Sequence, residues 1–154
     1  MPGINIHFIC SGNVYRSRLA EACCRSTCLP GTHVFSSGIR AGLETDAPIT
    51  PYAAYLLNKY SLASYAAPHW QRTTAALVQA SDVLVFMESE HRRFCQNWIE
   101  PARQRIEVWG VEDLGIVDAA EIPIRIERTF ALIRQRTGAL LTALALAARG
   151  PSPV

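Results

Sequence analysis

The stretch Ile4–Thr27, INIHFICSGNVYRSRLAEACCRST, decides how this chain is read. Its opening, Ile4–Ile9, is a short apolar, β-favouring run of the kind buried in a sheet. A loop, Cys10–Arg16, follows. Ser17–Thr27 then reads as a helix, with Leu19, Ala22 and Cys23 on one face and Pro30-Gly31 as its stop. A strand that passes through a loop directly into a helix begins a βαβ unit, and the rest of the chain keeps that alternation. Thr32–Ser36 is a second strand, closed by Ser37-Gly38. Residues Ile39–Thr50, with Gly, Asp, Pro and Thr, form a long surface loop. Pro51–Lys59 is a helix with proline at its first position. Thr73–Ala80 is a short helix. Val83–Met87 is five consecutive apolar residues, suited to a strand buried on both faces of a parallel sheet. Ser89–Ile99 is a helix with Ser89 as its N-cap, and Ile106–Trp109 is a fourth strand. Ile122, Ile126, Phe130, Ile133, Leu140, Leu141 and Leu144 recur at helical spacing, giving a long last helix from Pro123 to about Ala148. The pattern predicts an α/β fold: a three-layer sandwich, with a four-stranded parallel sheet, right-handed crossovers and helices on both faces. Residues 1–150 are expected to make one domain, and 151–154, after Gly150, a tail.

Composition agrees. With 154 residues, 49% hydrophobic and 18% charged, the chain can bury one sizeable core and is not disordered. A net charge of +2 is too small to argue for nucleic acid or a membrane surface. No apolar run approaches the ~18–20 residues of a membrane span, and Met1–Cys10 lacks the basic-then-apolar pattern of a signal peptide. The expectation is a cytoplasmic protein without nucleic-acid or membrane partners. Five cysteines, Cys10, Cys23, Cys24, Cys28 and Cys95, are an odd number and exclude a complete internal disulfide framework. Cys24 and Cys28 lie one helical turn apart, but His7, His33, His69 and His91 are scattered, so no metal site is expected.

The loop itself carries the chemistry. In Cys10-Ser11-Gly12-Asn13-Val14-Tyr15-Arg16-Ser17, a cysteine ends a strand, an arginine stands six residues on, and a helix begins at once. Such a loop aims backbone N–H groups at one spot, and the helix dipole adds positive potential there. Gly12 offers the conformational freedom that a tight anion nest needs. Arg16 supplies a planar two-pronged donor for two phosphate oxygens. The field that holds a dianion also favours a sulfur anion at Cys10, a thiolate nucleophile. Ser17 is placed to donate to that sulfur, and Asn13 to tie the loop to a neighbouring one. The candidate phosphate-binding set is Ser11, Gly12, Asn13, Val14, Tyr15, Arg16 and Ser17. The plain alternative, a buried structural cysteine and a solvated arginine, does not account for strand, Gly-Asn turn and helix in succession. Ligands of open parallel sheets bind at the carboxyl ends of strands, where this loop falls.

These residues resemble the low-molecular-weight protein tyrosine phosphatases, whose signature C-x-G-N-x-C-R-S is matched at Cys10, Gly12, Asn13, Arg16 and Ser17. The resemblance continues through Leu19-Ala20-Glu21-Ala22, Ser36-Ser37-Gly38-Ile39, His69–Arg72 and Asp82–Glu88, and so covers most of the chain. It implies that Cys10 attacks phosphorus and forms a phosphocysteine, that Arg16 and the loop amides stabilise the equatorial oxygens, and that no metal or cofactor takes part. It also implies a partner: a phosphotyrosine protein, such as a cognate bacterial-type tyrosine kinase, or a small aryl phosphate. Three features depart from the family. Tyr15 stands where a second cysteine is common, so a disulfide to Cys10 at that position cannot form. Gly42-Leu43 lacks the aromatics that often wall the cleft. The Asp-Pro pair that carries the family's general acid is missing.

Expelling a phenolate needs a proton donor. Asp113, in Val111-Glu112-Asp113-Leu114-Gly115, resembles the family's V-E-D-P-Y-G and is favoured; Asp118, in Val117-Asp118-Ala119, is the second candidate, and Glu121 a distant third. Asp46 reads as a turn residue, His69 as a rim or structural group, and Trp70 as either a cleft aromatic or core. Two rival functions remain at this stage: arsenate reduction on the same scaffold, which would need resolving cysteines where only Cys95 is available, and a non-catalytic phospho-ligand-binding module.

Overall fold

The computed structural model describes residues 3–150, so the expected tail at 151–154 lies outside the described residues. Four parallel strands, β1 (Ile4–Cys10), β2 (Thr32–Gly38), β3 (Val83–Phe86) and β4 (Arg105–Val108), pair in the order β2-β1-β3-β4. Five helices connect or flank them: α1 (Arg16–Ser26), α2 (Pro51–Lys59), α3 (Ala75–Gln79), α4 (Ser89–Cys95) and α5 (Ile122–Ala148). Short 3₁₀ turns lie at Ala63–Tyr65 and Ala119–Glu121.

The pleat explains the layers. Successive strand residues face opposite sides of a sheet. Ile6, Phe8 and Cys10 with Val83, Val85 and Met87 join one buried cluster, which also takes Leu19 and Cys23 of α1, Leu56 of α2 and Ile126, Phe130 and Ile133 of α5. Ile9, Leu84 and Phe86 face the other side, against Val78 of α3 and Cys95 of α4. Both faces are covered, which is why Val83–Phe86 is an unbroken apolar run.

The elements follow the sequence with small shifts at their ends. The Ser89 cap is a correction. Glu88 is the N-cap of α4; its side chain accepts from the His91 backbone N–H, and the His91 ring accepts from the Glu88 N–H. This reciprocal pair satisfies two donors at once and outcompetes a lone serine. The α4 helix also stops at Cys95, short of the Ile99 expected. Thr50 and Thr74 cap α2 and α3 with their side chains.

Chain order positions the site. From β1 the chain crosses to β2 on one side and later to β3 on the other, so the carboxyl end of β1 borders a switch point, where a crevice opens above the sheet. The ends of β1, β3 and β4 deliver Cys10, Glu88 and the Gly110–Asp113 segment to that same edge.

Candidate active site

The Cys10–Arg16 loop encloses the end of β1 and enters α1 without a side-chain cap, leaving the helix's first amides to the loop's interior. The left-handed residue in the loop is Asn13, at φ 55°, and not Gly12 as the sequence suggested. Asparagine takes that region at lower cost than most residues, and here its side chain fixes it. Asn13 Nδ2 donates to Ser17 Oγ at 2.7 Å and to Ser36 Oγ at 2.9 Å, while Asn13 Oδ1 accepts from the Gln71 N–H at 2.9 Å. The loop is thus tied to its own helix, to β2 and to the segment before α3. Ser36 in turn donates to buried Glu21 at 3.0 Å. Gly38, which pairs with Cys10 in the sheet, lets the loop lie against β2: a Cβ there would stand 2.6 Å from Asn13 N and from Ser11 O.

Cys10 Sγ accepts from the Asn13 N–H at 3.3 Å and lies 2.9 Å from Ser17 Oγ. Because Ser17 already accepts from Asn13, its own proton is free for the sulfur. Arg16 is buried and held from several sides. Nη1 donates to Glu88 Oε1 and, at 2.8 Å, to the Val111 carbonyl; Nη2 reaches Ser11 Oγ at 3.3 Å and Asp113 Oδ2 at 3.6 Å. Burial opposes the charge on Arg16, but Cys10, Asp113 and Glu88 outweigh it and raise its pKa further, so it stays a cation.

His91 is a fixed neutral support. Its Nδ1 accepts from the Glu88 N–H at 3.0 Å, so the ring proton sits on Nε2 and is donated to Ser11 Oγ at 2.9 Å. Burial first, then Arg16 and Arg40, push its pKa down to about 3. Ser11 receives donors from His91 and Arg16, which leaves its own hydroxyl proton to turn elsewhere.

A cavity of about 280 Å³ joins these groups, lined by Cys10, Ser11, Gly12, Val14, Tyr15 and Arg16 below and by Glu44, Thr45, Thr50, Tyr52 and Asp113 above. It is not the largest concavity among the described residues; its chemistry distinguishes it. The structure brings Asp113 into this cavity. Asp118 instead precedes the 3₁₀ turn at Ala119–Glu121 and lines none of it. Glu121, Asp46 and His69 are exposed and outside it as well. Trp70 is half-buried over Gly42, whose lack of a Cβ makes room for the indole.

Sequence reasoning missed Tyr52, Glu44, Glu88 and His91. Tyr52 provides the aromatic wall that Gly42-Leu43 does not, packing edge-on to Tyr15 at 4.8 Å. Its signal was weak: a tyrosine one residue into a helix reads as core. The loop that carries Glu44 is fastened to the Cys10–Arg16 loop at both ends, by Arg40 N to Ser11 O at 2.8 Å and Thr50 N to Val14 O at 3.0 Å.

Among the described residues, the one group of side chains close enough to share a metal ion is Glu88, Glu90 and His91. Both His91 nitrogens are committed, Glu88 pairs with Arg16, and Glu90 lies 3.7 Å from Arg40, so the group serves the loop.

A parallel α/β sheet with a Cys-x₅-Arg loop at its switch point is an arrangement able to hold an oxyanion beside a cysteine sulfur. The family model described as low molecular weight phosphotyrosine protein phosphatase matches residues 5–148, and the chain belongs to that family. No curated protein is matched. Solved structures share the fold at low identity. Wzb from Vibrio vulnificus, in complex with benzylphosphonate, superposes with a TM-score of 0.74 at 21% identity, covering 91% of this chain and 98% of that one. A low molecular weight phosphotyrosine phosphatase from Vibrio cholerae gives 0.73 at 20%, covering 97% and 100%. The YwlE arginine phosphatase from Geobacillus stearothermophilus gives 0.72 at 18%, covering 98% and 99%. The chain is a phosphatase of this family, with the four-stranded parallel α/β fold its sequence predicted.

Proposed function

We propose that this phosphatase hydrolyses aryl phosphate monoesters, phosphotyrosine in proteins foremost, through a phosphocysteine. The observation that carries the reading is a single cavity in which the Cys10 sulfur, the Arg16 guanidinium and the Asp113 carboxyl meet beneath the Tyr52 ring. The phosphoryl oxygens sit among the loop amides and Arg16, and the Cys10 sulfur attacks phosphorus. As the bond from phosphorus to the aryl oxygen breaks, Asp113 gives that oxygen its proton. Water then attacks the phosphocysteine and passes a proton to Asp113, and the sulfur leaves with the Ser17 hydroxyl donating to it. Free phosphate is the second product. Val14, Tyr15 and Tyr52 give the aryl ring an apolar, aromatic surface.

The partner in this reading is a tyrosine-phosphorylated protein, a cognate kinase included, or a small aryl phosphate, met in the cytoplasm. A second reading, phosphoarginine, has one observation in its favour. Apart from Arg16, the charged groups lining the cavity are the carboxylates Glu44 and Asp113, which would suit a guanidinium body. Arsenate reduction has less support, since no cysteine besides Cys10 lines the cavity, and Cys23, Cys24 and Cys95 are buried.

Turnover of para-nitrophenyl phosphate, a phosphotyrosyl peptide and a phosphoarginyl peptide tests the proposal with wild type and Cys10→Ala. The phosphotyrosyl peptide should be the better peptide substrate, and Cys10→Ala should abolish all turnover. Exclusive hydrolysis of phosphoarginine would establish the second reading, and phosphopeptide binding without turnover would establish a binding module.

A further inference from the structure

The proposed mechanism uses the ring of Tyr15 and leaves its hydroxyl without a role. Tyr15 is buried at 3% exposure, and among the described residues its hydroxyl has no hydrogen-bond partner. A buried hydroxyl left without a partner destabilises the fold, so such a group calls for an explanation. Thr129 of α5 lies close enough to influence its proton but outside hydrogen-bonding geometry. Tyr15 shares the walls of the catalytic cavity with Asp113.

The terminal nitrogens of Arg16 are fully engaged. They already serve Glu88, the Val111 carbonyl and Ser11, and Asp113 stands 3.6 Å from Nη2. A phosphoryl dianion in the loop claims the same guanidinium edge and repels the carboxylate there. The Asp113 carboxyl must then move to another donor. The segment that carries it is bracketed by Gly110 at φ 68° and Gly115 at φ 66°, both with open space around them, so a small rotation meets little resistance. We infer that Tyr15 is a positioning residue: when substrate takes Arg16, the Asp113 carboxyl leaves that guanidinium and accepts a hydrogen bond from the Tyr15 hydroxyl, which holds it toward the leaving-group oxygen.

The inference rests on the phosphatase reading given above. Burial, reinforced by Tyr52 and Asp113 against the pull of Thr129 and Arg16, raises the Tyr15 pKa, so the phenol keeps its proton and remains a donor. The edge-on contact with Tyr52, at 4.8 Å between ring centres, holds the ring in place. The exchange also gives the tyrosine at this position a use that a cysteine could not fill, because a thiol is shorter and a weaker donor.

The experiment compares wild type, Tyr15→Phe, Thr129→Val and Asp113→Asn, with Tyr15→Phe also combined with Asp113→Asn. Each is assayed on aryl phosphates of graded leaving-group pKa across pH. Phenylalanine keeps the ring and removes an unpartnered oxygen, so the variant should melt no lower than wild type by circular dichroism. Tyr15→Phe should lower kcat about fivefold for poor leaving groups, leave activated esters unchanged and shift the alkaline limb of the kcat profile. The loss should vanish in the Asp113→Asn background, and Thr129→Val should not reproduce it. An unchanged leaving-group dependence and pH limb in Tyr15→Phe overturns the inference, as does the same effect in Thr129→Val. Absence of any turnover by wild type would fail the phosphatase reading itself, and this inference with it.

Discussion

Replacing Asn13 with alanine removes the peg on which the Cys10–Arg16 loop hangs. The side chain is buried, makes three hydrogen bonds of 2.7–2.9 Å, and belongs to a residue at φ 55°. At about 1 kcal/mol net for each bond, plus about 1 kcal/mol for holding alanine in the left-handed region, the variant should lose roughly 4 kcal/mol. That is a large part of the 5–15 kcal/mol typical of a domain, and lowers Tm by roughly 10 °C at this chain length. Asn13→Gly loses the bonds but not the conformation, so it should be milder than Asn13→Ala by about 1 kcal/mol. Urea unfolding followed by circular dichroism gives both differences, and para-nitrophenyl phosphate turnover gives the effect on the site. Ser17, released from Asn13, no longer has its proton directed at Cys10, so kcat should fall in both variants. A loss under 1 kcal/mol for Asn13→Ala, or equal losses for alanine and glycine, would refute this account of the loop.

Other outcomes follow from the same contacts. Gly38→Ala drives a Cβ to 2.6 Å from two backbone atoms of the loop, so turnover should drop at least ~100-fold while the sheet's circular dichroism signal persists. Asp113→Asn should slow esters with poor leaving groups far more than activated ones, and Asp118→Asn should affect neither; the reverse would move the general acid to Asp118. Burial holds His7 and His91 at about 3 in the folded protein, against about 6.5 when unfolded. Below pH 6.5 the unfolded chain therefore binds protons that the native state refuses, and stability, fully present above that value, is lost on acidification toward pH 3. Each histidine contributes a slope of roughly 1.4 kcal/mol per pH unit, and His7→Asn should reduce the slope seen in urea titrations at pH 4–6.

Much of the fold was legible because periodicity reports burial. Val83–Phe86, sealed on both faces, reads as a run without alternation, and α5 shows its buried stripe at Ile126, Phe130 and Ile133. Element ends were less legible. The choice of Glu88 over Ser89 as a cap depends on a histidine three residues on folding back, which propensity does not encode. At the site, Cys10 and Arg16 stand out because strand, loop and helix are contiguous in the chain. Tyr52, Glu44, Glu88 and His91 reach the cavity or its support from other segments, through the loop fastened by Arg40 and Thr50 and through the end of β3, and only the sheet order brings them together. The choice between Asp113 and Asp118 was open in the sequence for the same reason: five residues of irregular loop do not state which carboxyl turns inward.

The central claim is that the Cys10 sulfur carries the phosphoryl group between substrate and water. Acid-quenched single turnover of Asp113→Asn with an activated aryl phosphate, followed by intact-mass and peptide mass spectrometry, measures this directly. A transient phosphoryl adduct confined to the peptide containing Cys10, absent from Cys10→Ala, is the predicted result. Steady release of phosphate with no adduct at any time, or turnover retained by Cys10→Ala, would contradict it.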